Sequence, residues 1–334
     1  MKTDCMTDIT SYMELIQYGG QHQPTRDVLR ELHIKHSRSI PFEGLSPFTG
    51  MPIDLSIDSL VDKFTKQRRG GYCYEHNLLF QYVLKSVGFT VHGLAARVRL
   101  NLPDDVVTPR SHMLLLVEAE GEKFIADTGF GGLSLTAPIR LVTDVVQDTP
   151  HGPYRLLQKG EEFCLQTKVK AEWQELYTFD LMPHYQQDYE VFNWYTSTHP
   201  TSPFVNDLIA ARAGRTGRHA LHNRQYSFYH LDGGVEKRQL DSVGEIRDVL
   251  ESKFRISTSE IPSLGARLLA MLSRPGVGGK KQAIRYCRPL RGGVVPGCWI
   301  DVKSLEADGR RKPDGSGAKC RARFCRNAAR WLGA

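Results

Sequence analysis

The apolar period of this 334-residue chain changes at one place, between Gly88 and Phe89, and that change limits the fold more than any other feature. Before it, hydrophobic residues recur at helical spacing. After it, they alternate with polar ones in short runs broken by Gly, Pro and Asp. A chain built this way cannot be all-helical or all-β. It predicts an α+β protein with helices first and a sandwich or barrel after.

Within residues 1–88, Asp8 or Thr10 caps a segment through Ser11–Ile16 that Gly19-Gly20 ends. Thr25 opens a second helix carrying Val28, Leu29, Leu32 and Ile34, and Pro41 in Ser39-Ile40-Pro41-Phe42-Glu43-Gly44-Leu45 breaks the pattern. Ser56 or Asp58 starts a third helix through Leu60, Val61 and Phe64. A fourth begins at Cys73, with Leu78, Leu79, Tyr82 and Val83 on its stripe, and stops near Gly88.

Strand candidates follow at 89–99, 112–118, 123–127, 138–141, 154–158, 163–170 and 175–179. Residues 193–204, rich in aromatics, Ser, Thr and Pro, read as a surface crossing segment. Strands at 224–230 and 236–240 precede helices from Ser242 through Leu250 and over 262–272. The expected regions are a helical bundle over 1–88, a sandwich or barrel over 89–204 and a small mixed α/β unit over 205–273.

Residues 274–334 differ from the rest. They hold fifteen Lys/Arg against four Asp/Glu and ten glycines, with little apolar periodicity. The net charge of +7 therefore belongs to this tail, and the preceding body carries about −4. The tail reads either as a disordered basic arm for a polyanion or as a translated out-of-frame extension. We favour the second, because the charge lacks aromatic interleaving and a nucleic-acid motif. No apolar run reaches the ~20 residues of a membrane span. The start Met-Lys-Thr-Asp lacks a signal-peptide core, so the expected compartment is the cytoplasm. Seven irregularly spaced cysteines offer no disulfide framework, which leaves Cys73 a free thiol.

The chemistry centres on Arg69-Gly70-Gly71-Tyr72-Cys73. Two glycines permit close backbone approach, and the helix start surrounds the sulfur with unpaired N–H groups. Such a setting lowers a thiol pKa into the range ~3.5–7.5. A cysteine nucleophile needs a base and a group to orient it. His112 at the mouth of the apolar run Met113–Val117 and Asp127 at the end of the next strand can supply both. His76, at i+3 from Cys73, competes for the base role, and the same Cys–His pair could ligate zinc, although no second ligand pair has suitable spacing. Gly129-Phe130-Gly131-Gly132 is either a tight turn or a weak phosphate loop, since no Lys-Ser/Thr follows. Arg69 and Glu43 are expected to pair and brace the nucleophile loop. Phe42, Tyr72, Phe130 and Phe204 are core aromatics or the walls of an aromatic slot.

Taken as a set, these stretches resemble the arylamine N-acetyltransferase family, from about residue 8 to 273. Arg69–Cys73 carries the likeness, with Ser39–Glu43, His112, Asp127–Gly132, Pro138–Leu141, and Trp194–Pro200 followed by Phe204. The resemblance implies a cysteine-proteinase-like arrangement of helical bundle, β-barrel and α/β lid. It implies acetyl transfer from acetyl-CoA to arylamines, arylhydrazines and N-hydroxyarylamines by a ping-pong route. Cys73 would be the nucleophile, His112 its partner and Asp127 the orienting carboxylate. Phe42, Tyr72, Phe130 and Phe204 would line the acceptor pocket; Ser111, Gly129 and Gly131 would lie near CoA. No metal is implied, and the protein would be a monomer or homodimer. Rival readings are a macrolactam-forming amide synthase, a thiol hydrolase with the same triad, and a non-catalytic binding protein. The chain departs from the family pattern at Gly44, where Asn is usual, and in the tail.

Overall fold

A computed structural model describes residues 7–103 and 105–274. The basic tail beyond Arg274, and both readings of it, lie outside the described residues.

The N-terminal helices are α1 (Thr10–Leu15), α2 (Arg26–Ser39), α3 (Leu45–Thr49), α4 (Ile57–Thr65) and α5 (Cys73–Val87); a short strand, β1 (Phe42–Glu43), follows α2. Thr25 caps α2, its hydroxyl accepting from the Val28 N–H. The N-cap of α1 is Ile9, not Asp8 or Thr10; the Asp8 carboxylate accepts the Thr10 N–H just outside. Ser56 is the N-cap of α4, and Gly88, in the left-handed region, ends α5. Helix α2 ends at Ser39, before Pro41, and the segment that follows holds β1 and α3.

Strands β2 (Thr90–Val98), β3 (Arg110–Ala119), β4 (Glu122–Ala126), β5 (Ile139–Arg140), β6 (Gln147–Thr149), β7 (Gly152–Lys159), β8 (Glu162–Val169) and β9 (Glu172–Phe179) form one antiparallel sheet in the order β5-β4-β3-β2-β9-β8-β7-β6. Its edges curl toward each other. The Gln147 side chain bonds both the N–H and the C=O of Arg140, and Thr143 bridges to Leu156. The result is a nearly closed barrel. Strand β3 is covered on both faces: Met113, Leu115 and Val117 pack against the helices, while Leu114 and Leu116 fill the barrel. That double burial explains an uninterrupted apolar run where alternation would otherwise be expected.

Residues 193–204, read as a crossing segment, are largely helical: they take in the end of α6 (Gln186–Thr198) and the start of α7 (Pro203–Asn206), joined by residues 199–202. Strands β10 (Ile209–Ala213), β11 (Gly217–His222), β12 (Gln225–His230) and β13 (Val235–Gln239) then form a second antiparallel sheet, whose far edge is β1. Helices α8 (Val243–Ser252) and α9 (Leu264–Leu272) share an apolar core with this sheet and with Leu45 and Phe48 of α3. Among the described residues, no helix is long and apolar enough to cross a membrane.

Candidate active site

Cys73 is the first residue of α5 and is nearly buried. Its position depends on the two glycines before it. A Cβ on Gly70 would fall 1.9 Å from the Pro41 carbonyl oxygen, and one on Gly71 would fall 2.7 Å from the Glu75 side chain. Glu43 donates its N–H to the Gly71 carbonyl at 2.8 Å, tying the loop to β1. The predicted brace is present: Arg69 Nε lies 2.7 Å from Glu43 Oε1, with both side chains buried. Glu75, which accepts the Tyr72 N–H at 3.0 Å, pairs with Lys63 at 2.5 Å.

Strand β3 carries a register shift at this level. Ala96 faces His112 but Arg97 faces Arg110, so Ser111 is the extra residue of a bulge. The bulge turns the Ser111 carbonyl toward Cys73 Sγ, 3.8 Å away. Extending the β3–β4 register by one step places Asp127 opposite Leu114, so His112 is its diagonal neighbour on the same face. His112 Nε2 donates to Asp127 Oδ2 at 2.8 Å.

Four donors converge on the Asp127 carboxylate. Oδ2 accepts from His112 and from the Tyr177 hydroxyl at 2.9 Å; Oδ1 accepts from Asn77 Nδ2 at 3.1 Å and the Gly129 N–H at 2.9 Å. Burial works to raise its pKa, but His112 and these donors hold it below the usual carboxylate value. Burial likewise depresses His112, yet the Asp127 charge and hydrogen bond, with Cys73 adding to them, raise it to about 10. At neutral pH the imidazole beside Cys73 is therefore protonated.

Asn77 and Tyr177 escaped the sequence reading. Asn77 lies one helical turn after Cys73 and cross-links α5 to the barrel, donating also to the Met113 carbonyl at 2.8 Å and accepting the Thr128 N–H at 3.1 Å. Its i+4 spacing from Cys73 was the available signal.

His76, the rival base, is engaged elsewhere. Its Nε2 bonds the Pro41 carbonyl at 3.1 Å and its Nδ1 bonds His36 Nε2 at 2.8 Å; His36 Nδ1 meets the Tyr12 hydroxyl at 2.7 Å. A carbonyl only accepts, so the proton order runs from Tyr12 through both rings to Pro41 with every ring neutral. Burial lowers His76 to about 4. With both ring nitrogens bonded, His76 is neither base nor zinc ligand to Cys73. Among the described residues, no cluster of three or more His, Cys, Asp or Glu is arranged to hold a metal.

The predicted aromatics fall into two groups. Tyr72 and Phe204 meet edge to face at 5.2 Å, and Phe42 lies 6.0 Å from Phe204. Phe130 stands apart from that trio, edge-on to His112 at 5.0 Å. Gly44 lies against Phe204, where a Cβ would come within 2.9 Å of the ring. Gly129 is buried against Cys73, since a Cβ there would fall 2.6 Å from its Cα; Gly131 lies beside Phe42.

The sequence matches the N-acetyltransferase family over residues 25–261. It is 43% identical over 277 residues to the arylamine N-acetyltransferase of Mycobacterium tuberculosis (strain ATCC 25618 / H37Rv), covering 80% of this chain and 98% of that one. The chain belongs to the arylamine N-acetyltransferase family. The Salmonella typhimurium arylamine N-acetyltransferase / N-hydroxyarylamine O-acetyltransferase is 39% identical over 239 residues, 71% of this chain and 85% of that one. The Mycobacterium marinum arylamine N-acetyltransferase, solved in complex with CoA, superposes with a TM-score of 0.76 at 41% identity, covering 79% of this chain and 98% of that one.

Proposed function

We propose that this acyltransferase moves acetyl groups from acetyl-CoA to arylamines, arylhydrazines and N-hydroxyarylamines through an acetyl-Cys73 intermediate. The observation that carries the reading is His112 bonded to the four-donor Asp127 carboxylate, with Cys73 at the start of α5. Family membership supplies the substrate class. Cys73 as thiolate attacks the acetyl carbonyl; the bond to CoA breaks, and the leaving thiolate takes the His112 proton. The acceptor amine then attacks acetyl-Cys73, gives a proton to His112, and departs as the amide while Cys73 regains its thiolate. The N–H groups of Cys73 and Tyr74, in the first turn of α5, are suited to receive the oxyanion. Tyr72, Phe42, Phe204 and Phe130 form the acceptor walls, and Ser111, Gly129 and Gly131 the CoA side. The helices, barrel and lid then take the roles they have in a cysteine-proteinase-like arrangement, with divisions near residues 88 and 204. Free Cys73 and Cys164 agree with a reducing cytoplasm.

Peptide mass spectrometry after adding acetyl-CoA tests this directly. The expected result is one acetyl group on Cys73 that persists until an arylamine is added and is absent in Cys73→Ala. Rapid loss to water without an amine would favour the hydrolase instead. Acylation only by a carrier-bound thioester would favour the amide synthase.

A further inference from the structure

Among the described residues, Arg218 is a buried guanidinium with no countercharge. Arg218 of β11 is about nine-tenths buried. Its Nη2 donates to the Ser134 carbonyl and to the Tyr154 hydroxyl, each at 3.0 Å. Both acceptors are neutral, and no carboxylate lies within ion-pairing distance of Arg218 among the described residues. The other buried arginine described above, Arg69, has Glu43. A buried cation without a partner is costly, and proteins ordinarily supply one.

Arg218 lines a small cavity where the end of α2, the 128–136 turn and the β10–β11 hairpin meet. Ser37 and Ser134 line it too. Both are more than nine-tenths buried, and both hydroxyls lack any hydrogen-bond partner. Native proteins rarely leave such groups unpaired without a water or ion. The surrounding field is positive: burial first, then Arg218 and Arg38, lower the neighbouring His151 to about 4. A cation and two idle O–H donors facing one cavity form a set that only an electron-rich ligand satisfies. The cavity offers about 20 Å³, room for one or two water-sized particles and too little for a phosphate ester.

We propose that this cavity is a binding site for a small inorganic anion of halide size, held by the Arg218 guanidinium and the Ser37 and Ser134 hydroxyls. The ion ties α2, the turn after Asp127 and β11 together, so its binding stabilises the folded state by mass action. Because the turn carries Thr128 and Gly131, occupancy also steadies the loop that starts at Asp127.

The test compares chloride with gluconate, an anion too large for the cavity, at equal ionic strength. Chloride is expected to raise the melting midpoint by about 3 °C at ten times its dissociation constant. Chloride-35 NMR of the same samples should show exchange broadening that bromide reverses. Arg218→Gln should remove both effects. If that variant does not fold, Ser37→Ala with Ser134→Ala should weaken the broadening in a chain that keeps its guanidinium. Equal midpoints in chloride and gluconate, or unchanged broadening in the variants, would overturn the proposal and leave water in the cavity. Displacement of chloride by CoA would also overturn it, by making the cavity part of the cosubstrate site.

Discussion

His112 and the His36–His76 pair are buried alike, and all three rings are held by hydrogen bonds, yet they titrate in opposite directions. His112 faces a carboxylate and rises to about 10, while His76 faces a carbonyl and another neutral ring and falls to about 4. His36 moves down as well, for burial and for its two histidine neighbours. Desolvation is common to all three. What separates them is a direct bond to one negative charge, which the donors around Asp127 help to keep ionised. The same residue type thus makes a charged partner for a carboxylate in one place and a neutral structural link in another.

The largest effect should come from removing that charge. Asp127→Asn keeps the size of the side chain but takes away the reason for the His112 shift. We expect kcat/KM to fall by about 10⁴-fold with the fold intact by circular dichroism. An imidazole still protonated above pH 8 in that variant, seen by NMR, would break the contrast.

Next is geometry without charge. Gly129→Ala inserts a Cβ 2.6 Å from Cys73 Cα and must push the turn away from the helix. A loss of about 10²-fold in kcat is expected, with a small change in acceptor KM.

A third effect concerns stability against pH, and the two kinds of histidine give it opposite signs. His33 and His76 have folded values of about 4, below their unfolded value, so the unfolded chain binds more protons between about 6.5 and 4. Stability falls as pH drops through that window. His112 is the reverse: its contribution is complete below about 6.5 and is lost as pH rises toward 10. Denaturant midpoints should fall on both sides of neutrality, and Asp127→Asn should flatten the alkaline limb.

The smallest effect is Tyr12→Phe, which leaves His36 Nδ1 buried without its donor. A cost of about 1–3 kcal/mol in unfolding free energy is expected, with little change in kcat/KM. A large loss of activity would show that the relay governs the reaction as well as the fold.

Much of this arrangement was legible in the chain. The Thr25 cap, the Cys73 start and Gly88 stop of α5, and most strands of the barrel follow from local rules. The Arg69–Glu43 brace was readable because both charges flank the same loop. Helix α6 was not, since its buried face is Tyr189, Asn193 and Thr196 while Tyr185 and Trp194 stay exposed. A stripe with two polar residues gives no apolar period to read. Strands β10 and β11 were missed because Ala-Ala-Arg-Ala and Arg-His-Ala-Leu lack the β-branched residues that mark strands. The bulge at Ser111 and the Tyr177 bond depend on register between distant segments, and His76 stayed a competing base in the sequence because its partner His36 lies forty residues earlier.

Three consecutive amides follow from this architecture as a clock. The N–H groups of Asp127, Thr128 and Gly129 donate to His33, Asn77 and the Asp127 carboxylate, not to a strand ladder. Two of those acceptors stand on α2 and α5, so these protons can meet solvent only when the turn parts from both helices. Deuterium trapped at these three positions counts the episodes in which the turn after Asp127 leaves α2 and the Cys73 helix.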